Sequence, residues 1–196
     1  MTTSKTSLYE LTKEDWNTLF PVELIEHDPN WTHIYATERQ RIRSYTDANT
    51  VLTIEHFGSS SIPHIKAKPY IDMLIDIPAH KLFDINLIDQ FEALGYAYFK
   101  VPQRDHIDAY MSFGKGYHID GRKDQVFHIH MCPRENIMWE QLKFRDHLRT
   151  NTRRAKEYEH LKIKLAEQFR NDRGAYVLGK NNFIQETMDL IHQANI

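Results

Sequence analysis

Hydrophobic and polar positions change period along this chain. In "VLTIEHFG", Leu52 and Ile54 alternate with polar neighbours, which predicts a strand ending at Gly58. "PYIDMLIDI" is almost continuously apolar, the pattern of an interior strand. "YAYFKV", "AYMSFGK" and "QVFHIHMC" predict three more strands, with loops marked by Pro102, Gly114, Gly116 and Gly121. Upstream, "PVELIEHD" reads as a short strand. "DPNW" then reads as a turn and helix start with Asp28 or Asn30 as N-cap, before Trp31, Ile34, Tyr35, Ile42 and Tyr45 at mostly helical spacing. A further helix is expected from Leu82 to Leu94, closed by Gly95. After Pro133 the period turns helical, and Ala155, Tyr158, Leu161, Leu165 and Phe169 form one apolar stripe. A last helix carries Phe183, Ile184, Met188 and Ile191, after a break at "NDRGAYVLGK". This order predicts an α+β fold: a mixed β-sheet with flanking helices and a C-terminal helical layer.

Composition narrows the classes. A chain of 196 residues with 41% hydrophobic and 27% charged residues can bury one core. Residues 1–20 read as an N-terminal extension. Residues 21–196 read as one domain, its sheet part running to about 133 and its helical part covering 134–196. No window holds the ~18 apolar residues of a membrane span, and "MTTSKTSLYELTKEDW" lacks the pattern of a secretory signal. The single cysteine, Cys132, fits a reducing compartment, so a cytoplasmic location is expected. Net charge is −2; from Trp139 onward 11 Lys/Arg face 8 Asp/Glu, against 14 and 19 before it. Solvated amphipathic helices give such an asymmetry, and with no stacking motif a nucleic-acid partner is not expected.

The chemistry concentrates in "IEHFGSSSIPHIKAKPYIDMLIDI". A Gly-Ser turn after a strand exposes backbone N–H groups and hydroxyls that can hold phosphate oxygens, here Gly58, Ser59 and Ser60. Lys68 can add positive charge. Asp72, on the next strand, is a carboxylate able to hold a divalent ion beside those phosphates. A Ser-rich connector followed by an Asp at a hydrated strand edge would have the same composition.

"HFGSSSIPHIKAKPYIDMLIDI", with "VELIEHDPNW" upstream and "FHIH", "FRDHLR", "YEHLKIKLA" and "YVLGKNNFI" downstream, resembles the GrpB family from about Val22 to near the C-terminus. That family is placed in the nucleotidyltransferase superfamily, with a fold like the palm of DNA polymerase beta. The resemblance implies a nucleotidyltransferase-type sheet. The superfamily motif is an apolar residue, Gly, Gly or Ser, about a dozen residues, then Asp-apolar-Asp/Glu. It maps to Phe57-Gly58-Ser59, a gap of twelve, then Asp72-Met73-Leu74.

The motif departs at Leu74, where a second carboxylate would share the face of Asp72. Asp76 shares that face but lies roughly 13 Å away along a strand, too far to chelate the same ion. "FHIHMC" supplies an alternative set. His128, His130 and Cys132 alternate onto one face, and neighbouring members can converge on one ion while all three cannot. If that strand neighbours the strand of Asp72, as the superfamily layout implies, Asp72, His128 and His130 form the catalytic and metal set, suited to Mn or Zn as well as Mg. Cys132 reads as a small buried residue. Of Glu55 and His56 one points inward, and His56 reads as scaffold. In the helical part Arg145 and Lys180 are candidates to meet phosphate; Lys143, Arg149 and Lys162 are further cations, each equally readable as an ordinary solvated helix face.

The resulting expectation is a metal-dependent nucleotidyltransferase that moves a nucleotidyl group from an NTP to a hydroxyl acceptor. Its partner would be a nucleotide or another phosphorylated small molecule, with no membrane. A non-catalytic nucleotide- or metabolite-binding module of the same fold, and a His/Asp metal-dependent phosphoesterase, stand beside it.

Overall fold

The computed structural model describes residues 7–104 and 107–194. Five strands form one sheet: β1 (Thr53–Phe57), β2 (Tyr70–Asp76), β3 (Ala97–Val101), β4 (Tyr110–Lys115) and β5 (Val126–Cys132). Their order is β1-β2-β5-β4-β3, with β2 and β5 parallel and every other pairing antiparallel. The two central strands are the most apolar ones, as expected for strands covered on both faces. Among the described residues seven α-helices accompany them: α1 (Lys13–Leu19), α2 (Trp31–Tyr45), α3 (Ile85–Ala93), α4 (Gln141–Thr150), α5 (Thr152–Gln168), α6 (Arg173–Leu178) and α7 (Asn181–Gln193). The α+β class with a C-terminal helical layer is therefore observed. Among the described residues no helix is long and apolar enough to cross a membrane.

The faces of the sheet differ. Ile71, Met73 and Ile75 on β2, with Ile129 and Met131 on β5 and Phe113 on β4, join Trp31 and Ile42 of α2 and Leu87, Ile88 and Phe91 of α3 in one continuous core. Glu38 of α2 is buried in this layer, where it accepts hydrogen bonds from Tyr96 Oη (2.8 Å), Lys115 Nζ (2.6 Å) and Arg41 (3.0 Å). Burial pushes its carboxyl up, but these donors outweigh burial and hold it below the usual range.

The other face carries four smaller apolar clusters. Phe57, Leu74, Cys132 and Trp139 form one; Ile62, Phe144, Leu148 and Tyr158 another. Val22 packs with Leu165 and Tyr176, and Tyr70, Tyr117 and Val126 pack with Trp16 and Phe20 from the N-terminal helix and its exit. Between them lies a polar centre.

Three local expectations need correction. "PVELIEHD" forms no strand, only the isolated bridge Ile25↔Ala67, because no further ladder partner runs beside it. The helix expected from Leu82 starts at Ile85, capped by the Asp84 side chain on the Leu87 amide, since Phe83 takes a positive φ of 65°. The break "NDRGAYVLGK" contains a helix of its own, α6, capped by Asp172. At α2 the cap position is Asn30, whose side chain makes no cap bond. Asp28 instead accepts the Asn30 amide with its carboxylate and the Trp31 amide with its carbonyl.

Glu38→Ala leaves Lys115 and Tyr96 without their shared acceptor, and we expect a loss of about 3 kcal/mol in chemical denaturation. A loss under 0.5 kcal/mol would show that the three donors find other partners.

Candidate functional site

The site forms where three backbone elements converge on β2. In the parallel ladder Asp72 lies opposite His128, and in the antiparallel ladder it lies opposite Phe57, the residue before Gly58. Gly58 has φ 69°, and a Cβ there would sit 2.3 Å from Asp72 Oδ2. Only a glycine lets the turn close on the carboxylate. Ser59–Ser61 then form one 3-10 turn, whose opening N–H groups have no carbonyl within the turn. The turn is held from behind. Ser61 Oγ donates to the Gly58 carbonyl (2.6 Å), Arg149 Nε donates to the Ser61 carbonyl (2.9 Å), and Ser60 Oγ lies 3.1 Å from His56 Nε2. Ser59 is free of these ties, and its hydroxyl is near enough to Tyr158 to favour the ionised phenol, against the burial that raises it.

Asp72, His128 and His130 offer ligand atoms that all lie within 4.8 Å of one another. His128 Nδ1 is 3.4 Å from Asp72 Oδ1, long for a charge-assisted hydrogen bond and close to the roughly 3.3 Å that separates two ligands of a tetrahedral ion with bonds of about 2.0–2.1 Å. His128 Nε2 lies 3.2 Å from Ser112 Oγ, an outer contact of the kind that fixes ring orientation in metal-ligating histidines. The His130 ring stands 4.4 Å from that of His128, and its Nδ1 is buried with no hydrogen-bond partner. Burial, then His128, push His130 down to about 3, so it is neutral near pH 7 and keeps a lone pair. An orphaned imidazole nitrogen beside a carboxylate and a second imidazole fits a divalent ion. Leu74, fully buried, sits opposite His130 in the ladder and packs with Phe57 and Trp139, so the position of a second carboxylate is part of the apolar floor.

A cavity of about 290 Å³ opens over this centre, lined by the nine residues read as catalytic, metal-holding or phosphate-binding: Asp72, His128 and His130 with Gly58, Ser59, Ser60, Lys68, Arg145 and Lys180. They are not equally available. Lys68 is brought down to about 7 by burial and by Arg173, with Asp72 opposing, and its ammonium rests over the Tyr70 ring. Burial also lowers Lys180, which lies over Tyr176. Asp72 stays below the usual carboxylate range because His128 and Lys68 outweigh its burial. Arg145 is committed elsewhere, donating to Glu55, the His56 carbonyl and both oxygens of Asp146, so it braces the cavity wall.

The remaining candidates separate cleanly. Lys143 pairs with Glu140 on the helix surface. Lys162, far from a solvated position, is 1% exposed and donates to the Lys66 carbonyl. Cys132 is buried and its thiol is pushed up to about 12, which makes it inert. Glu55 is on the site side of the sheet. His56 is on the other, stacked on Tyr35 at 4.7 Å. Ser112, Tyr158, Tyr176 and Arg173 were missed by sequence reasoning. Alternation in "AYMSFGK" groups Ser112 with Tyr110 and Gly114, but only the β4–β5 register shows that it lies opposite His130, from where its hydroxyl reaches the ring of His128.

Comparison with known proteins places these residues in context. The family model described as GrpB protein matches residues 21–190. UPF0157 protein YqkA of Bacillus subtilis is 34% identical over 84% of this chain, which spans 45% of YqkA's length. Glutamate-rich protein GrpB of Alkalihalophilus pseudofirmus is 30% identical over 86% of this chain and 94% of its own. A crystal structure of the conserved protein GrpB from Enterococcus faecalis superposes with a TM-score of 0.71 at 27% identity, covering 88% of this chain and 99% of that one.

Gly58→Ala should drive Asp72 out of place, costing about 1–3 kcal/mol of stability from the backbone alone; an unchanged denaturation midpoint would contradict the close approach. His56 gives a pH test. Burial pushes its imidazole down to about 4. Between about pH 6.5 and 4 the unfolded chain therefore binds a proton that the folded chain does not, and stability falls as pH falls by up to about 1.4 kcal/mol per unit. Urea unfolding at a series of pH values should show a shallower slope for His56→Gln, and equal slopes would mean that His56 titrates normally.

Proposed function

The chain belongs to the GrpB family, and from that premise we propose that it is a metal-dependent enzyme that moves a nucleotidyl group from a nucleoside triphosphate to a hydroxyl acceptor. The observation that carries the reading is the convergence of Asp72, His128 and His130 within 4.8 Å beneath a Gly-Ser turn. Asp72, His128 and His130 would hold one divalent ion, a mixed nitrogen and oxygen set suited to Mn or Zn and able to take Mg. When bound, such an ion neutralises phosphate charge as a Lewis acid.

The chain's own groups supply the rest. Ser59 and Ser60 line the cavity, and the opening amides of their turn with the Ser59 hydroxyl would suit phosphate oxygens. Lys68 and Lys180 bring positive charge from two directions, and an arriving polyanion would draw Lys68 fully to its ammonium form. Ser112 keeps His128 oriented, and the bracing of Arg145 and Arg149 keeps the turn in register with Asp72. Nucleotidyl transfer depends on such positioning more than on covalent help from the protein.

A second reading, a non-catalytic nucleotide- or metabolite-binding module at the same centre, is favoured by Leu74. Without a second carboxylate the residues provide for a single ion and not for two-metal chemistry, while phosphoester hydrolysis would use the same Asp72, His128 and His130 set with water as the nucleophile.

A thermal-shift screen of nucleoside triphosphates with Mg, Mn or Zn tests both. At 100-fold excess over Kd a ligand adds about 2.7 kcal/mol, a readily visible rise in Tm. We expect metal-dependent stabilisation that disappears in Asp72→Ala and is weakened at least tenfold in His130→Ala. Product analysis then separates transfer from hydrolysis, and binding without turnover would point to a non-catalytic module. No response to any triphosphate with any of the three metals sinks the nucleotide reading.

A further inference from the structure

A second cavity, of about 310 Å³, lies on the same side of the sheet, and Lys68 lines both cavities. Its inner wall is apolar: Phe20 and Pro21 from the exit of α1, Pro69 and Tyr70 at the start of β2, and Val126 at the start of β5. Its outer wall is the β4–β5 loop, carrying Arg122 and Lys123. Tyr70 and Asp72 are two residues apart on one strand face, about 7 Å. A molecule seated against Tyr70 therefore needs to extend past Lys68 by about the length of one ring to reach the Asp72 centre.

The charges around this chamber do not cancel. Lys68, Arg122 and Lys123 line it against Glu23 and Asp124, of which Asp124 bonds His118 Nε2 (2.7 Å) and Glu23 pairs with Arg170 (2.6 Å). Lys123 reaches Glu23 only at 3.7 Å, and its side chain is 89% exposed. Arg122 touches His118 Nδ1 (3.1 Å) and stands 4.0 Å from Asp120, with most of its side chain in solvent. Lys68 sits at the inner end. The chamber thus has an apolar body, two solvent-exposed cations at the mouth and half-buried Lys68 at the junction with the first cavity.

We propose that this chamber is the acceptor subsite, which takes a small anionic molecule with a flat apolar body and presents its hydroxyl past Lys68 to the nucleotide. This role rests on the nucleotidyltransferase reading above. The apolar walls would cover the body, and Arg122 and Lys123 would meet the anionic group at the mouth. In the transfer step the acceptor oxygen bonds to the α-phosphorus and the bond from that phosphorus to the bridging oxygen breaks. Pyrophosphate leaves with the electron pair, and the hydroxyl proton passes to solvent.

The probe is 1-anilinonaphthalene-8-sulfonate, a flat apolar anion whose fluorescence rises on burial. The native protein should bind it saturably at one site. The double variant Arg122→Glu/Lys123→Glu, confined to exposed side chains, should weaken binding at least fivefold. Val126→Trp, which fills the chamber, should abolish it while circular dichroism confirms the fold. Adding ATP with Mn should leave the dye bound, because donor and acceptor occupy different cavities. Dye binding unchanged in both variants overturns the proposal, and so does competitive displacement by ATP, which would make the chamber part of the nucleotide's own pocket. The two readings fail separately. Asp72→Ala should lose the nucleotide response and keep the dye, whereas Lys123-dependent dye binding with no nucleotide response in the native protein removes the transferase and acceptor roles.

Discussion

Everything at the polar centre depends on the approach of the Gly58 backbone to the Asp72 carboxylate. No side chain fits between them, so the turn after β1 and the middle of β2 are locked at van der Waals distance. That contact decides where the opening amides of the 3-10 turn face. It also decides where Asp72 stands relative to His128, because the parallel ladder fixes the other side of the same residue. A carboxylate held by a turn on one flank and an imidazole on the other has little freedom left. Preorganisation of this kind is what phosphate chemistry requires, since charge must be met without rearrangement.

The two faces of the sheet divide the work. The α2/α3 face carries one continuous apolar core, the principal source of stability. The other face carries four separate clusters around Lys68, His130 and Lys180, groups whose burial opposes their charged forms. Such groups weaken a fold unless something binds them, and concentrating them on one face leaves the core undisturbed. Glu38 shows the contrast. It is a buried carboxylate, but three donors satisfy it, so it reads as architecture.

Much of this was legible in the sequence, and the limits have physical causes. Periodicity gave all five strands and the long helices because burial on one face imposes period 2 or 3.6 directly on residue choice. It failed at "PVELIEHD", where an alternating segment lacks a neighbouring ladder, and at Lys162, where a lysine on a helix is buried by a carbonyl from another element. The spacing of Gly58 and Asp72 was readable because both lie on consecutive elements of one hairpin-like unit. The meeting of His128 with Asp72 needed the sheet order, and Ser112 needed the register of a third strand. Arg145 lines the cavity, but its partners Glu55 and Asp146 take its donors. Sequence reading finds a charge more easily than it finds that charge's occupation.

The buried charges of α5 explain how the helical layer reaches the site. The segment from Ile62 to Lys68 links the Gly-Ser turn to β2 and forms only one backbone bridge, at Ala67. Helix α5 clips it at three points: Lys156 donates to the His64 carbonyl, Glu159 accepts the Lys66 amide, and Lys162 donates to the Lys66 carbonyl. Lys162 loses hydration for this, with burial and then Lys180 lowering it to about 7. An apolar residue at 162 would avoid that penalty but leave the Lys66 carbonyl without its donor. The clip does more than hold a loop. It sets the height of α5, and so of Tyr158 over Ser59, while α6 and the start of α7 bring Tyr176 and Lys180 to the same cavity. The C-terminal helices are therefore the second half of the site, joined to the first by a polar clip that tolerates little slippage between them.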